Sequence, residues 1–120
     1  MSKLINIKSK FNLFKDLWSP KVIAEMNNYQ FKVVKIKGEF IWHNHKNTDE
    51  VFIVIDGTMN IELKNQTISL KSGEMFVVKK GDYHKPYSKN ECKVLIIEPR
   101  GIVNTGEEGG FLTAQNDNWI

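Results

Sequence analysis

The spacing of turn signals after Pro20 is the feature that most constrains the fold of this chain. From residue 21 onward, short apolar stretches with a period of two are separated roughly every 6–12 residues by Gly, Asn, Asp or Ser. A period of two places alternate side chains on opposite faces of a strand. Asp56-Gly57 is the strongest hairpin signal. The pattern predicts an all-β sandwich or barrel, with strands over residues 22–26, 31–37, 40–45, 50–56, 59–63, 67–70, 75–78 and 92–98.

The two ends of the chain have a different character from this central region. Apolar residues at helical spacing predict a short helix over 9–18, with Ser9 as its N-cap, preceded by a short strand over 4–7. The tail, residues 101–120, is rich in glycine and ends in apolar residues that we expect to dock back onto the protein. The predicted organisation is one domain over 1–120, with a barrel core at about 21–99 and an N-terminal segment at 4–18.

Charge and hydropathy exclude several classes of partner. The 17 Lys and Arg residues are scattered among 14 acidic ones, so no basic face for nucleic acid is expected. The longest apolar run, 51–55, is too short to cross a bilayer, and the first residues do not form a signal peptide. The single cysteine, Cys92, is expected to be a small buried residue. We therefore expect a soluble, cytoplasmic protein.

The histidines point to a metal site. His43 and His45 are one residue apart in a predicted strand, so their side chains share a face. Glu50 begins the next strand, and His84 follows another glycine-bounded hairpin. Imidazole nitrogens with one carboxylate suit Fe, Mn, Ni, Zn or Cu better than Ca or Mg. The pattern predicts one divalent transition metal per chain, held by groups that only a closed barrel would bring together.

The spacing of these residues resembles the two motifs of the cupin superfamily. The landmarks of the first motif are Gly38, His43, His45, Glu50 and Gly57, and those of the second are Gly73, Gly81, His84 and Ser88. The spacer after Gly38 is one residue short, Lys79 stands where the motif has proline, and Ser88 where it has asparagine. The resemblance implies a double-stranded β-helix, or jelly-roll barrel, with a metal held by His43, His45, Glu50 and His84. The six residues between Glu50 and Gly57 favour Glu50 over Asp49 as the carboxylate ligand.

The resemblance leaves the function open among three interpretations. The first is a metal-dependent enzyme acting on a small oxygen-rich molecule, of the isomerase or epimerase type or the dioxygenase type; the segments 81–86 and 98–101 look like small cupins with tentative sugar-phosphate isomerase names. The second is a non-catalytic metal-dependent sensor or binder of a small ligand. The third is a metal that only stabilises the barrel. Tyr83 and Tyr87 flank His84 and are the candidate catalytic residues, with packing at the rim as the alternative.

Two further expectations concern the pocket and the assembly. Phe52 and Val54 share the face of Glu50, so they are expected to line the floor of the pocket. The strand over 50–56 is apolar on both faces, and so is the strand that begins at Cys92. These surfaces, together with the apolar terminal segments, predict a homodimer.

Overall fold

The computed structural model describes residues 2–120, which form an antiparallel β-structure with one short helical segment near the N-terminus. Its elements are α1 (Ile7–Lys10), a 3₁₀ turn (Phe11–Leu13), β1 (Lys21–Met26), β2 (Tyr29–Glu39), β3 (Glu50–Asp56), β4 (Thr58–Leu63), β5 (Thr67–Lys71), β6 (Met75–Val78) and β7 (His84–Pro99). The all-β prediction with a short N-terminal helix is confirmed. Within the described residues, neither helical segment has the length and apolar character needed to span a membrane.

The 16-residue strand β7 organises the sheet. The strand order is β1-β2-β7-β3-β6, and β4 pairs with both β5 and β7. Every strand pair is antiparallel, and β7 pairs with β2, β3 and β4 along different parts of its length. Because β7 contacts three partners, it fixes where the other strands begin and end around the interior.

The interior of the barrel is apolar over most of its length. Alternation places Val34 and Ile36 of β2 on the inner face and Phe31, Val33 and Lys35 on the outer face, as the sequence predicted. The inner cluster consists of Val34, Ile36, Phe52, Val54, Met59, Ile61, Leu70, Val78, Cys92, Val94 and Ile96. Burying one such side chain contributes about 1.5–3 kcal/mol, so this cluster is the main source of stability.

The chain ends cover a second cluster on the outer face of the sheet. This cluster consists of Phe11, Phe14, Ile23, Val33 and Leu95, with Ile5, Ile7 and Ile120 packed against it. The last residues add to the edge of β1, where the Val22 amide donates to the Asn118 carbonyl at 2.7 Å and the Ile120 amide donates to Val22 at 3.1 Å. The tail therefore docks on its own barrel and protects the exposed edge of β1.

The N-terminal segment departs from the predicted boundaries. The predicted helix over 9–18 is wrong in extent, because Asn6 rather than Ser9 is the N-cap and the helix ends at Lys10. After Leu13 the chain is extended, since Phe14 leaves the helical path to enter the outer cluster. The predicted strand over 4–7 is also wrong: within the described chain those residues belong to no strand.

The segment before β3 also departs from the prediction. The predicted strand over 40–45 is a loop that contacts the sheet through one isolated bridge, between His43 and His84. The predicted strand over 92–98 is the second half of β7, which begins at His84. The difference matters for the site, because a loop can turn its carbonyl groups toward its own side chains and a paired strand cannot.

Candidate metal centre

Three separate parts of the chain contribute to one cluster of ligand atoms. His43 and His45 lie in the loop between β2 and β3, Glu50 is the first residue of β3, and His84 is the first residue of β7. Their ligand atoms all lie within 4.8 Å of one another, and all four side chains are buried. The structure thus brings together the four residues that the sequence proposed as metal ligands.

Main-chain hydrogen bonds hold the loop against β7. The His43 amide donates to the His84 carbonyl at 3.0 Å, and the His84 amide donates back to His43 at 2.9 Å. The Gly81 amide donates to the His45 carbonyl at 2.9 Å. These bonds place the loop backbone next to the β7 start, so the spacing of the three rings does not depend on side-chain packing alone.

Carbonyl groups orient two of the imidazole rings. His43 Nδ1 lies 2.9 Å from the Ile41 carbonyl oxygen, and His84 Nδ1 lies 2.9 Å from that of Asp82. A carbonyl oxygen can only accept, so Nδ1 is the protonated nitrogen assigned to each ring. The neutral ring then presents a bare Nε2 lone pair, which is the form that binds a metal.

The remaining ligand atoms have no protein partner. Among residues 2–120, nothing donates to or accepts from His45 Nε2, His84 Nε2 or Glu50 Oε1, although all three atoms are buried. Both nitrogens lie 3.4 Å from Glu50 Oε1. Leaving such groups unsatisfied costs about 1–3 kcal/mol each, and a bound cation would remove that cost. The four residues could therefore hold a divalent transition metal, which their nitrogen and oxygen donors suit.

Burial and charge keep the ligands deprotonated. Burial lowers the pKa of His43 to about 4, and the neighbouring His84 lowers it further in the same direction. Burial alone would raise the pKa of Glu50, but hydrogen bonds with His45 and His84 hold it well below its ordinary value. Metal ligands must lose their protons to bind, so both shifts favour a metal-binding state near neutral pH.

A largely apolar cavity of about 450 Å³ adjoins these ligands and opens to solvent. It is lined by Trp18, Pro20, Val34, Ile36, Phe40, His43, Glu50, Phe52, Met59, Pro86, Val94, Ile96, Glu98 and Asn104. The Trp18 ring stacks on Phe40 with centroids 4.7 Å apart. Trp18 adopts φ +61°, which is unfavourable for a bulky residue, and its indole N–H donates to the Lys37 carbonyl at 3.0 Å. The strained backbone and this bond together fix an aromatic wall opposite the metal ligands.

The tail also reaches this cavity. Asn104 lines it, and its side-chain amide donates to the Trp18 carbonyl at 3.0 Å and to that of Leu112 at 3.0 Å. A Cβ on Gly106 would overlap the carbonyl oxygen of Asn44, the residue between His43 and His45. The glycine-rich tail therefore packs directly on the backbone of the ligand loop.

Sequence reasoning missed four of the residues that line or support the cavity. Trp18 and Asn104 come from the two terminal regions, and no local pattern indicated that they would meet. Lys32 and Glu98 carried a usable signal, because each lies in phase with the inward-facing apolar residues of its strand. Their side chains are buried, with Lys32 Nζ 2.7 Å from Glu98 Oε2.

Other predicted residues lie elsewhere. Tyr83 is half exposed beside residues 63–66, and Tyr87 faces Lys85, whose Nζ lies 6.0 Å from its ring centroid. Neither tyrosine lines the cavity, so a catalytic role for them stays a prediction. Phe52 lines the cavity as expected, whereas Val54 is buried in the inner cluster without lining it.

The rival carboxylate also lies outside the centre. Asp49 Oδ1 accepts from the Lys80 amide at 2.9 Å, and its side chain is exposed. It therefore acts as a loop residue, as the sequence analysis expected if Glu50 supplied the carboxylate. Of the two neighbouring carboxylates, only Glu50 joins the three histidines.

An antiparallel β-barrel with a buried group of three histidines and one glutamate at the start of two strands defines a β-protein with a candidate metal centre. The chain belongs to the cupin family, since the Cupin domain profile matches residues 31–98. A cupin-2 domain containing protein from Shewanella frigidimarina NCIMB 400 is similar in structure, with a TM-score of 0.80 at 60% identity over 81% of this chain and 95% of that one. Protein NMB1881 from Neisseria meningitidis gives a TM-score of 0.75 at 32% identity over 81% and 99% of the two chains. Uncharacterized protein YdbB of Bacillus subtilis strain 168 is 33% identical over 82% of this chain and 88% of its own length.

Proposed function

We propose that this cupin is a metal-dependent enzyme that acts on a small oxygen-bearing molecule in the cavity beside His43, His45, Glu50 and His84. The observation that carries the proposal is the group of buried ligand atoms with no protein partner, next to a cavity large enough for a small molecule. A structural role alone would not require an adjoining cavity. The reaction types in keeping with this arrangement are those predicted from the sequence, an isomerase or epimerase type and a dioxygenase type.

The chain's own residues prepare the site for such chemistry. A divalent metal held by the four ligands would supply a Lewis acid that polarises an oxygen of the substrate. The Ile41 and Asp82 carbonyls orient the His43 and His84 rings before anything binds. The apolar wall, including Trp18, limits water in the cavity and so strengthens the charge interactions there.

A non-catalytic metal-dependent binder is the second candidate. One observation favours it: apart from the ligands, Glu98 is the single ionisable residue among those that line the cavity, and it is already paired with Lys32. The site therefore offers few groups to move protons. Assaying candidate substrates with and without oxygen would separate a dioxygenase, an isomerase and a binder that turns nothing over.

Metal analysis of purified protein tests the proposal. We expect about one divalent transition metal per chain in the wild type and loss of the metal in the combined variant His43→Ala, His45→Ala and His84→Ala, since only one ligand remains. Asp49→Asn is the matched control, because it alters a carboxylate next to Glu50 that lies outside the cluster. Full metal occupancy in the folded triple variant would contradict the assignment.

The assembly and location are proposed on weaker support. We propose a cytoplasmic homodimer, as expected from the sequence. The chain's own ends cover part of the apolar surface that motivated this prediction. Exposed apolar side chains nevertheless remain at Leu4, Leu13 and Phe111, and a second chain would cover such residues.

A further inference from the structure

An ion pair lies inside the barrel where an apolar pair would be expected. Lys32 of β2 shares the inner face with Val34, and Glu98 of β7 shares it with Ile96. The two charged side chains are each about 3% exposed, and Lys32 Nζ lies 2.7 Å from Glu98 Oε2. A buried ion pair is often no more stabilising than a well-packed apolar pair, so stability alone does not explain this one.

The two members of the pair are not equally satisfied. Lys32 Nζ also donates to the Ile102 carbonyl at 3.4 Å, so it has a second acceptor. Glu98 Oε1 is buried, and within the described chain no group donates to it. The Glu98 side chain lines the same cavity as Glu50 and His43. Lys32 thus holds one oxygen of Glu98 and leaves the other without a donor, beside the candidate metal ligands.

From this geometry we propose that Glu98, held in place by Lys32, selects the ligand of the cavity. It accepts a hydrogen bond from a hydroxyl group of a small, uncharged molecule with an apolar ring, while a neighbouring oxygen of that molecule faces the ligands His43, Glu50 and His84. Calling this molecule the substrate rests on the proposed function. Glu98 is a specificity-determining residue in this proposal.

The walls of the cavity set the rest of the ligand class. Trp18, Phe40 and Phe52 offer aromatic surfaces, and most other lining residues are aliphatic. A sugar would lose the hydrogen bonds of most of its hydroxyl groups on entering, which costs free energy that these walls cannot return. A phosphate or carboxylate would face Glu50 and Glu98, and the charge of the nearby Lys32 is already neutralised. The class is therefore a ring compound with a vicinal pair of oxygens, at least one of them a hydroxyl.

Catechol and its monomethyl ether, guaiacol, test the role of the hydroxyl. The two probes would be titrated by calorimetry into metal-free and zinc-loaded protein, with glucose 6-phosphate as the polar anionic probe. We expect catechol to bind the wild type about tenfold or more tightly than guaiacol in both forms, because a donor lost from a buried charged acceptor leaves that acceptor unpaired. Glucose 6-phosphate should bind more weakly than either.

Two variants assign the preference to Glu98. The double variant Lys32→Met with Glu98→Met removes the pair as a unit and should bind the two probes within about twofold of each other. Glu98→Gln replaces the free acceptor with an amide that can donate, so it should shift the preference toward guaiacol, whose ether oxygen accepts. Asp16→Asn with Lys21→Met is the matched control, since that pair, 2.7 Å apart, does not line the cavity and should keep the catechol preference.

The outcomes separate this proposal from the proposed function. A catechol preference that persists in a folded Lys32→Met, Glu98→Met variant and in Glu98→Gln would overturn the role of Glu98. Absence of catechol binding to the wild type, or tighter binding of glucose 6-phosphate, would overturn the ligand class. If the wild type retains no metal but its metal-free form shows the Glu98-dependent preference, the ligand class stands and the metal-dependent function fails.

Discussion

Acidification of the metal-free protein should reveal the energetic cost of the buried His43 ring. Burial lowers its pKa from 6.5 to about 4, so at intermediate pH the unfolded chain binds a proton that the folded chain does not. Stability contributed by the neutral ring is therefore present above pH 6.5 and is lost as the pH falls toward 4. At about 1.4 kcal/mol per pH unit, the loss on going from about pH 7.5 to about pH 4.5 is about 3 kcal/mol.

The assay is urea unfolding followed by tryptophan fluorescence at a series of pH values, with a chelator present. The His43→Gln variant cannot take up this proton, so its free energy of unfolding should fall by about 3 kcal/mol less than that of the wild type over the same range. Phe40→Leu is the control, because Phe40 packs edge-on against the His43 ring at 5.2 Å and its loss destabilises the site without removing the titrating group. Parallel pH profiles for His43→Gln and the wild type would refute the reasoning.

Two other predictions concern the tail and the core. Gly106→Ala should destabilise the protein by about 2 kcal/mol more than Gly109→Ala in urea unfolding: both glycines have positive φ, but only at Gly106 would the new methyl group meet the Asn44 backbone. Equal losses would show that the tail does not pack on the ligand loop. Burial raises the pKa of the Cys92 thiol to about 11, so a disulfide reagent at about pH 8 should label it only as the protein unfolds. Labelling of the native protein at the rate of a free thiol would contradict its burial.

The sequence was most informative where local signals agreed. The predicted bounds of β3, 50–56, match the structure, because a polar loop precedes the strand and Asp56-Gly57 ends it. A Cβ on Gly57 would lie 3.2 Å from Cys92 Cα, so the turn also depends on close approach to β7. The four ligand residues were found because their motif spacing is itself a local property of the chain.

The remaining features depend on contacts between distant parts of the chain. The segment 40–45 has the composition of a strand but only one bridge, at His43, since its backbone partners are taken by the bonds that hold the ligand loop. The approach of Trp18 to Asn104 joins positions 86 residues apart, which no periodic pattern encodes. The pairing of Lys32 with Glu98, 66 residues apart, has the same origin. The extent of the domain stays a prediction.

The carbonyl groups that hold the two histidine rings have a consequence for how the centre can vary. Each belongs to the residue two positions before its histidine, Ile41 before His43 and Asp82 before His84. Most metal-binding histidines that are oriented by an aspartate or glutamate lose that support when the acidic residue is replaced. Here the supporting oxygen is common to all twenty amino acids, so protein engineers can exchange the side chains at positions 41 and 82 to reshape the surroundings while both rings keep their tautomers.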